Sequence, residues 1–217
     1  MWWNVDVDIA LNLATILLWF GYAGTAVFAI SGALLALRKS MDIIGVSFIA
    51  TMTGVGGGTI RDLLLGATPV AWVKNPTDIV ICIVCAIVVS LLNTVLAGRR
   101  MQWLLYADAA GLALFAVVGA ATAESYGAHP FVAILFGAMS ASFGGIIRDV
   151  ICGDPPILFS KELYITPALL GGAIFILIPS SLGFDMRAIT GLVAALTLRL
   201  LAIKLGWSMP FPRSTTE

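Results

Sequence analysis

Apolar residues run along this chain in blocks of about twenty, each closed by a polar or basic cluster, and that spacing predicts seven membrane-spanning helices. The first span runs from about Ile9 or Leu13 to Leu37 and stops at Arg38-Lys39; the second runs from about Ile43 to Leu65. A polar connector from Gly66 to Pro76 leads into the third, about Thr77 to Leu96, which ends at Gly98-Arg99-Arg100. The fourth covers about Trp103 to Ala123, and a short turn containing His129 precedes the fifth, about Phe131 to Ile151. Gly153-Asp154-Pro155-Pro156 is a strong helix stop. The sixth span, about Tyr164 to Pro179, is short, and the seventh runs from about Arg187 to Leu205.

One stretch breaks the apolar pattern. Gly56-Gly57-Gly58-Thr59-Ile60-Arg61-Asp62 places three glycines and two opposite charges inside the second span. Each glycine costs a helix about 1 kcal/mol against alanine, so the span is expected to bend or unwind there and to expose half-helix ends. Unpaired backbone at membrane depth survives only where protein or a water-filled cavity covers it, which makes the break a candidate pathway or binding site. Freed carbonyls suit cations and freed N–H groups suit anions, so the break alone leaves both partners open.

The break is duplicated. Shifting the chain by 87 residues aligns Tyr22 to Lys74 with Ala109 to Lys161 without a gap, and 17 of 53 positions are identical. The matches include Phe28 with Phe115, Met52 with Met139, Arg61 with Arg148, Asp62 with Asp149, Gly66 with Gly153, Pro69 with Pro156 and Lys74 with Lys161. Shared apolar composition does not readily put Arg-Asp, Pro and Lys in register. Each unit holds three spans, an odd number, so the second enters the membrane inverted relative to the first, and interrupted helices in corresponding positions mark the site. The expected fold is therefore an all-α membrane protein of two inverted three-helix repeats, 9–97 and 103–182, plus a seventh helix, 186–205, and a short cytoplasmic tail, 206–217.

Composition supports the membrane assignment: 60% of the 217 residues are apolar and 11% charged, with a mean hydropathy of +1.03, against roughly 25% charged in soluble domains. Twelve basic and twelve acidic side chains cancel, which excludes the basic field of a nucleic-acid binder. Arg38, Lys39, Arg99, Arg100, Lys161, Lys204 and Arg213 fall on one side, and Lys74 and Arg187 on the other. The first side is expected to be cytoplasmic, with the N-terminus outside and the C-terminus cytoplasmic, as seven spans require. Trp2 and Trp3 read as interfacial anchors, and of the three cysteines, Cys82, Cys85 and Cys152, the first two, inside the apolar run Ile79 to Leu92, as small packing residues. His129 is given no role. No nucleophile with a paired base and no His-rich metal pattern occurs in the spans, so neither an enzyme nor a cofactor or metal is expected.

The candidate site residues are Gly56, Gly57, Gly58, Arg61 and Asp62 with Gly144, Gly145, Arg148 and Asp149, joined by a hydroxyl stripe of Ser47, Thr51, Thr53, Ser140 and Ser142. Adjacent residues on a helix point about 100° apart, so the charges are expected to pair across the pseudo-two-fold axis, Arg61 with Asp149 and Arg148 with Asp62.

Gly57-Gly58-Thr59-Ile60-Arg61-Asp62 followed by Leu65-Gly66, repeated as Gly144-Gly145-Ile146-Ile147-Arg148-Asp149 followed by Gly153-Asp154-Pro155, resembles the prokaryotic branch of the trimeric intracellular cation (TRIC) channel family. That family is also described as a glycine-transporter-type or UPF0126 membrane-protein family. The resemblance spans about Leu13 to Lys204. It implies a homotrimer in lipid with one hydrophilic pore per subunit, lined by the glycine-kinked second and fifth helices and passing K⁺ and, to a lesser extent, Na⁺. Eukaryotic members carry lysines and an inositol lipid near this region, whereas this chain has Arg61 and Arg148, so that lipid is not carried over. The alternative is a secondary transporter for a small zwitterion such as glycine, with helix N-termini holding its carboxylate.

Overall fold

The computed structural model describes the backbone of residues 3–160 and 162–208, and side chains from Thr15 onward within those ranges. Trp2, Lys161 and Arg213, used above for anchoring and orientation, lie outside the described residues, as does the side chain of Trp3. The described chain is helical: α1 (Trp3–Arg38), α2 (Ile43–Leu64), α3 (Ala71–Lys74), α4 (Thr77–Leu91), α5 (Asn93–Leu96), α6 (Arg100–Ser125), α7 (Pro130–Ile151), α8 (Ile165–Leu177) and α9 (Phe184–Leu205). Among the described residues five stretches are long and apolar enough to cross a membrane: 15–38, 43–64, 93–125, 130–151 and 184–205. The third expected span divides at Leu92 into α4 and the single-turn α5. At 15 and 13 residues, α4 and α8 reach only about 20–22 Å, short of the roughly 30 Å hydrocarbon core.

Local chemistry sets the helix ends. Asp42 caps α2 by accepting a hydrogen bond from the Gly45 N–H at 2.8 Å, and His129, given no role from sequence, caps α7 ahead of Pro130. α2 and α7 stop in the same way, at Gly66 and Gly153, each with φ +71°. The N–H of Ala67 bonds to the Asp62 carbonyl at 2.8 Å and that of Asp154 to the Asp149 carbonyl at 2.9 Å, closing the last turn through a left-handed glycine. That leaves the Arg-Asp pair of each helix in its final turn, beside the segment that follows.

Packing places α2 against α7 at the centre, with α1 and α6 beside them. The two central helices run antiparallel: Gly57 lies against Ser140 and Gly144 against Thr53. A Cβ on Gly57 would strike the Ser140 carbonyl oxygen, and one on Gly144 would stand 2.5 Å from that of Thr53, so each glycine permits backbone-to-backbone approach. Phe28 of α1 and Phe115 of α6 stack at 5.4 Å between ring centroids, and each ring fills the space above the other unit's glycine, Gly111 and Gly24 respectively. Buried Ala29, Ala33, Ala50 and Ala86 draw α1, α2 and α4 together. Ile44, Leu64, Leu91 and Val95 are more than half exposed, an outer surface suited to lipid or to other subunits and costly in water.

α9 is fastened by two arginines. Arg187 donates to the Phe175 carbonyl at 2.9 Å and to Glu124 at 2.7 Å, while Arg199 donates to the Leu163 carbonyl at 2.9 Å and lies over the Tyr164 ring. Arg187, counted above as a connector charge, is buried in the first turn of α9.

Candidate functional site

The central glycines do not unwind their helices. α2 and α7 are continuous through Gly56-Gly57-Gly58 and Gly144-Gly145, so no half-helix end opens at membrane depth. The expected break is replaced by a close crossing: glycine is used here for approach, and helix–helix contact makes up for its poor propensity.

The antiparallel register carries the two Arg-Asp motifs to opposite ends of the central pair. With Thr53 opposite Gly144, Asp149 falls level with about Phe48, some 20 Å along the axis from Arg61. The expected cross-axis exchange is therefore out of reach. Each arginine instead turns back to the next residue: Arg61 Nη2 and Nε reach Asp62 Oδ1 at 2.6 and 2.9 Å, and Arg148 Nε reaches Asp149 Oδ1 at 2.8 Å. The i, i+1 objection fails because a guanidinium on four rotatable bonds can swing around its last turn. The carboxylates are held for it, Asp62 Oδ2 by the Ala71 N–H at 3.1 Å and Asp149 Oδ2 by the Ile157 N–H at 3.0 Å.

The two ends differ in what else surrounds the arginine. Arg148, 0% exposed, also donates through Nη1 to Asp108 Oδ1 at 2.6 Å and to the Ser31 hydroxyl. Arg61, 8% exposed, has no partner for Nη1 among the described residues; for Arg148 the unpartnered nitrogen is Nη2. Arg61 borders a cavity of about 250 Å³. Its walls include Gly21, Tyr22 and Thr25 of α1, Gly58, Thr59, Arg61 and Asp62 of α2, Trp72 of α3, Asp78 of α4, and Val118 and Thr122 of α6, with apolar Leu17, Leu18, Val55 and Phe115 among them. Thr25 donates to Asp78 at 3.0 Å and Trp72 Nε1 to Thr59 at 2.9 Å, fixing four polar groups on the wall. At the other end a cavity of about 280 Å³ is lined by Leu35, Arg38, Met101, Leu104, Asp149, Asp154, Pro155 and Ile157, with a Lys39–Asp154 ion pair of 2.5 Å beside it. The α2–α7 crossing separates the two.

Of the expected residues, Gly58, Arg61 and Asp62 line the first cavity and Asp149 the second, while Gly56, Gly57 and Gly144 form the crossing between them. Gly145 packs against Tyr164 and Asp108. The hydroxyl stripe is spent on its own helices: Thr51, Thr53 and Ser142 donate to carbonyls four residues back, at 2.8, 2.6 and 2.8 Å. Ser47 supplies the carbonyl that Thr51 uses, and buried Ser140 Oγ has no partner among the described residues. None of the five lines either cavity.

Asp78, Asp108, Thr25 and Ser31 were not singled out by sequence reasoning. A signal was present for the first two, since a carboxylate within an apolar span is a site candidate in its own right. Among the described residues no cluster of His, Cys, Asp and Glu is arranged to hold a metal.

A family described as "Glycine transporter" matches the chain over residues 18–94 and again over 105–180. The UPF0126 inner membrane protein YadS of Escherichia coli K12 is 40% identical over 200 residues, covering 89% of this chain and 94% of YadS. The crystal structure of the TRIC trimeric intracellular cation channel orthologue from Rhodobacter sphaeroides superposes with a TM-score of 0.85 at 40% identity, covering 89% of this chain and all of that one. A prokaryotic TRIC channel crystallised in 0.5 M KCl gives 0.85 at 31% identity, over 90% of this chain and all of the other.

Proposed function

Because this chain belongs to the membrane-protein family that holds the UPF0126 proteins and the TRIC channels, we propose that it is a cation channel of the inner membrane, permeable to K⁺ and also to Na⁺. The proposed subunit has seven membrane helices: two inverted three-helix repeats, 9–97 and 103–182, then a seventh helix, 186–205, and a cytoplasmic tail, 206–217. Three subunits assemble as a homotrimer, each with its own pathway, the N-terminus outside and the C-terminus cytoplasmic. The reciprocal packing of Gly57 on Ser140 and Gly144 on Thr53, in which Gly57 and Gly144, like Thr53 and Ser140, are counterparts at the 87-residue offset, supports the inverted repeat.

The observation that carries the cation assignment is that carboxylates outnumber guanidinium groups at both motifs. Arg61 shares its cavity with Asp62 and Asp78, and Arg148 is paired with Asp108 and Asp149. Each cluster therefore has a formal charge of −1, so the arginines do not present an anion filter. The pathway runs from the Asp62–Asp78 cavity to the Asp149 cavity, and the glycine crossing of α2 and α7 closes it in this conformation. Opening requires those helices to part at the contacts of Gly57 with Ser140, Gly144 with Thr53 and Gly56 with Ile147. A transporter for a small zwitterion is the second reading, favoured by the presence of Arg61 and Asp78 in one cavity.

Purified protein in liposomes tests both. The channel reading expects passive K⁺ flux that follows the membrane potential and is indifferent to glycine. Saturable glycine uptake driven by a Na⁺ or H⁺ gradient, without K⁺ conductance, would overturn it.

A further inference from the structure

A groove on the outside of the bundle belongs to neither Arg-Asp motif. α1 packs on both α4 and α6, whereas α4 packs chiefly on α1 and α2, so a gap opens between α4 and α6 with α1 as its floor. Its volume is about 480 Å³, against about 250 and 280 Å³ for the cavities beside Arg61 and Asp149. Buried Leu34 of α1 lies at the bottom, and Val84 and Val88 of α4, Leu96 of α5 and Trp103 and Tyr106 of α6 form the sides. Met101 and Leu104, on another side of α6, line the Asp149 cavity instead, which keeps the groove apart from the motifs.

One end of the groove is basic. Leu96 and Trp103 frame that end, and Arg99 and Arg100 lie between them in the chain. Asn93 Oδ1 accepts from Arg100 Nη2 at 2.5 Å, holding the guanidinium at the α5 corner, and Arg38 reaches Met101 Sδ, in the first turn of α6, at 3.6 Å. No Asp or Glu occurs between Asp78 and Asp108. Among the described residues none of Arg38, Arg99 and Arg100 belongs to an ion pair. Along α6, Trp103 stands about 4.5 Å and Tyr106 about 9 Å inward of Arg100. Basic, then aromatic, then apolar is the order met on passing from headgroups to hydrocarbon in one leaflet.

We propose that the groove is a binding site for an anionic phospholipid, one acyl chain lying between α4 and α6 and the phosphate held by Arg99 and Arg100. A guanidinium fork matches two phosphate oxygens, and a basic pocket between membrane helices attracts a headgroup of net negative charge. A zwitterionic lipid brings the same phosphate with its own cation beside it, so three arginines without carboxylates favour the anionic one. A neighbouring subunit seated here would have to supply a carboxylate at the level of Arg99, where a lipid places its phosphate by virtue of its depth. The site rests on the membrane assignment alone and holds for a channel or a transporter.

The test is native mass spectrometry of the purified full-length protein in detergent, titrated with dioleoyl phosphatidylglycerol, with dioleoyl phosphatidylcholine and with glycerol phosphate. Saturable retention of phosphatidylglycerol is expected. Phosphatidylcholine, with the same chains, should bind at least about tenfold more weakly, and so should phosphatidylglycerol to the double variant Arg99→Gln with Arg100→Gln. Glycerol phosphate, which has the headgroup charge and no chain, should not be retained. Val84→Trp fills the groove from its half-exposed side and should also displace the lipid, whereas Lys74→Gln, on α3, should bind as the wild type does. Both test variants are checked for an unchanged gel-filtration profile, and either one, if folded, suffices. Phosphatidylcholine held as tightly as phosphatidylglycerol, full binding in a folded variant of either kind, or binding only to subunits dissociated from their oligomer would overturn the proposal. The last result would assign the groove to contact between copies of the chain.

Discussion

Replacing Asp108 by alanine measures how much the Arg148 cluster holds the bundle together. Asp108 and Arg148 are both fully buried, joined at 2.6 Å, and they connect α6 to α7. Removing one partner of a buried pair costs about 3–5 kcal/mol, because the remaining charge is left uncompensated in a poorly polar setting. Arg148 keeps Asp149 and Ser31, which places Asp108→Ala at the lower end, about 3 kcal/mol. For a chain of this size that lowers the melting temperature by about 6–12 °C. Asp108→Asn retains an acceptor for Nη1 and should lose less. The double change Asp108→Leu with Arg148→Met removes both charges, so it should recover most of what Asp108→Ala loses. The assay is thermal unfolding in one detergent at one protein concentration, followed by intrinsic fluorescence. A melting temperature for Asp108→Ala equal to that of the wild type, or a double variant less stable than the single one, would refute the reasoning.

Further outcomes follow from the same geometry. Gly57→Ala and Gly144→Ala each drive a methyl group into a carbonyl oxygen of the facing helix and should destabilise by about 1–3 kcal/mol, read by the same melt. Were these glycines only weak points within one helix, alanine would instead stabilise by about 1 kcal/mol. Gly58→Ala meets only Arg61 Nη2, at 3.7 Å, and should be neutral or stabilising by up to about 1 kcal/mol. Asp78→Asn brings the charge of the Arg61 cavity from −1 to zero, so the reversal potential in a KCl gradient should move toward that of Cl⁻; an unchanged reversal potential would remove Asp78 from the pathway. Arg187→Met gives up the bonds to Phe175 and Glu124 and should loosen α9 by about 2–3 kcal/mol, seen as faster hydrogen exchange in α9 than in α2.

Much of the architecture was legible in the residues because a bilayer permits few solutions. Apolar blocks of fixed length had to be helices, with ends close to where Asp42, Gly66 and Gly153 put them. The repeat was legible because Arg-Asp, Pro and Lys recur in register. Asp78 and Asp108 were visible as charges in apolar spans, but nothing local says that one borders a cavity and the other is sealed against an arginine 40 residues away.

The meaning of Gly56-Gly57-Gly58 lay beyond the sequence. Helix propensity is a property of one strand of chain, and on that ground a break was the natural expectation. Whether three glycines unwind or admit a neighbour depends on what lies against them, and Ser140 and Gly144 lie there. The sequence by itself determined a helical membrane protein, its duplicated motif and the residue types at each end, because composition and periodicity act along the chain. Only the tertiary structure decided that each arginine pairs with its own neighbour, that Arg148 gains Asp108 and Ser31 besides, and that the glycines form a crossing. Those outcomes depend on the antiparallel register of α2 and α7, which is set by packing across the bundle.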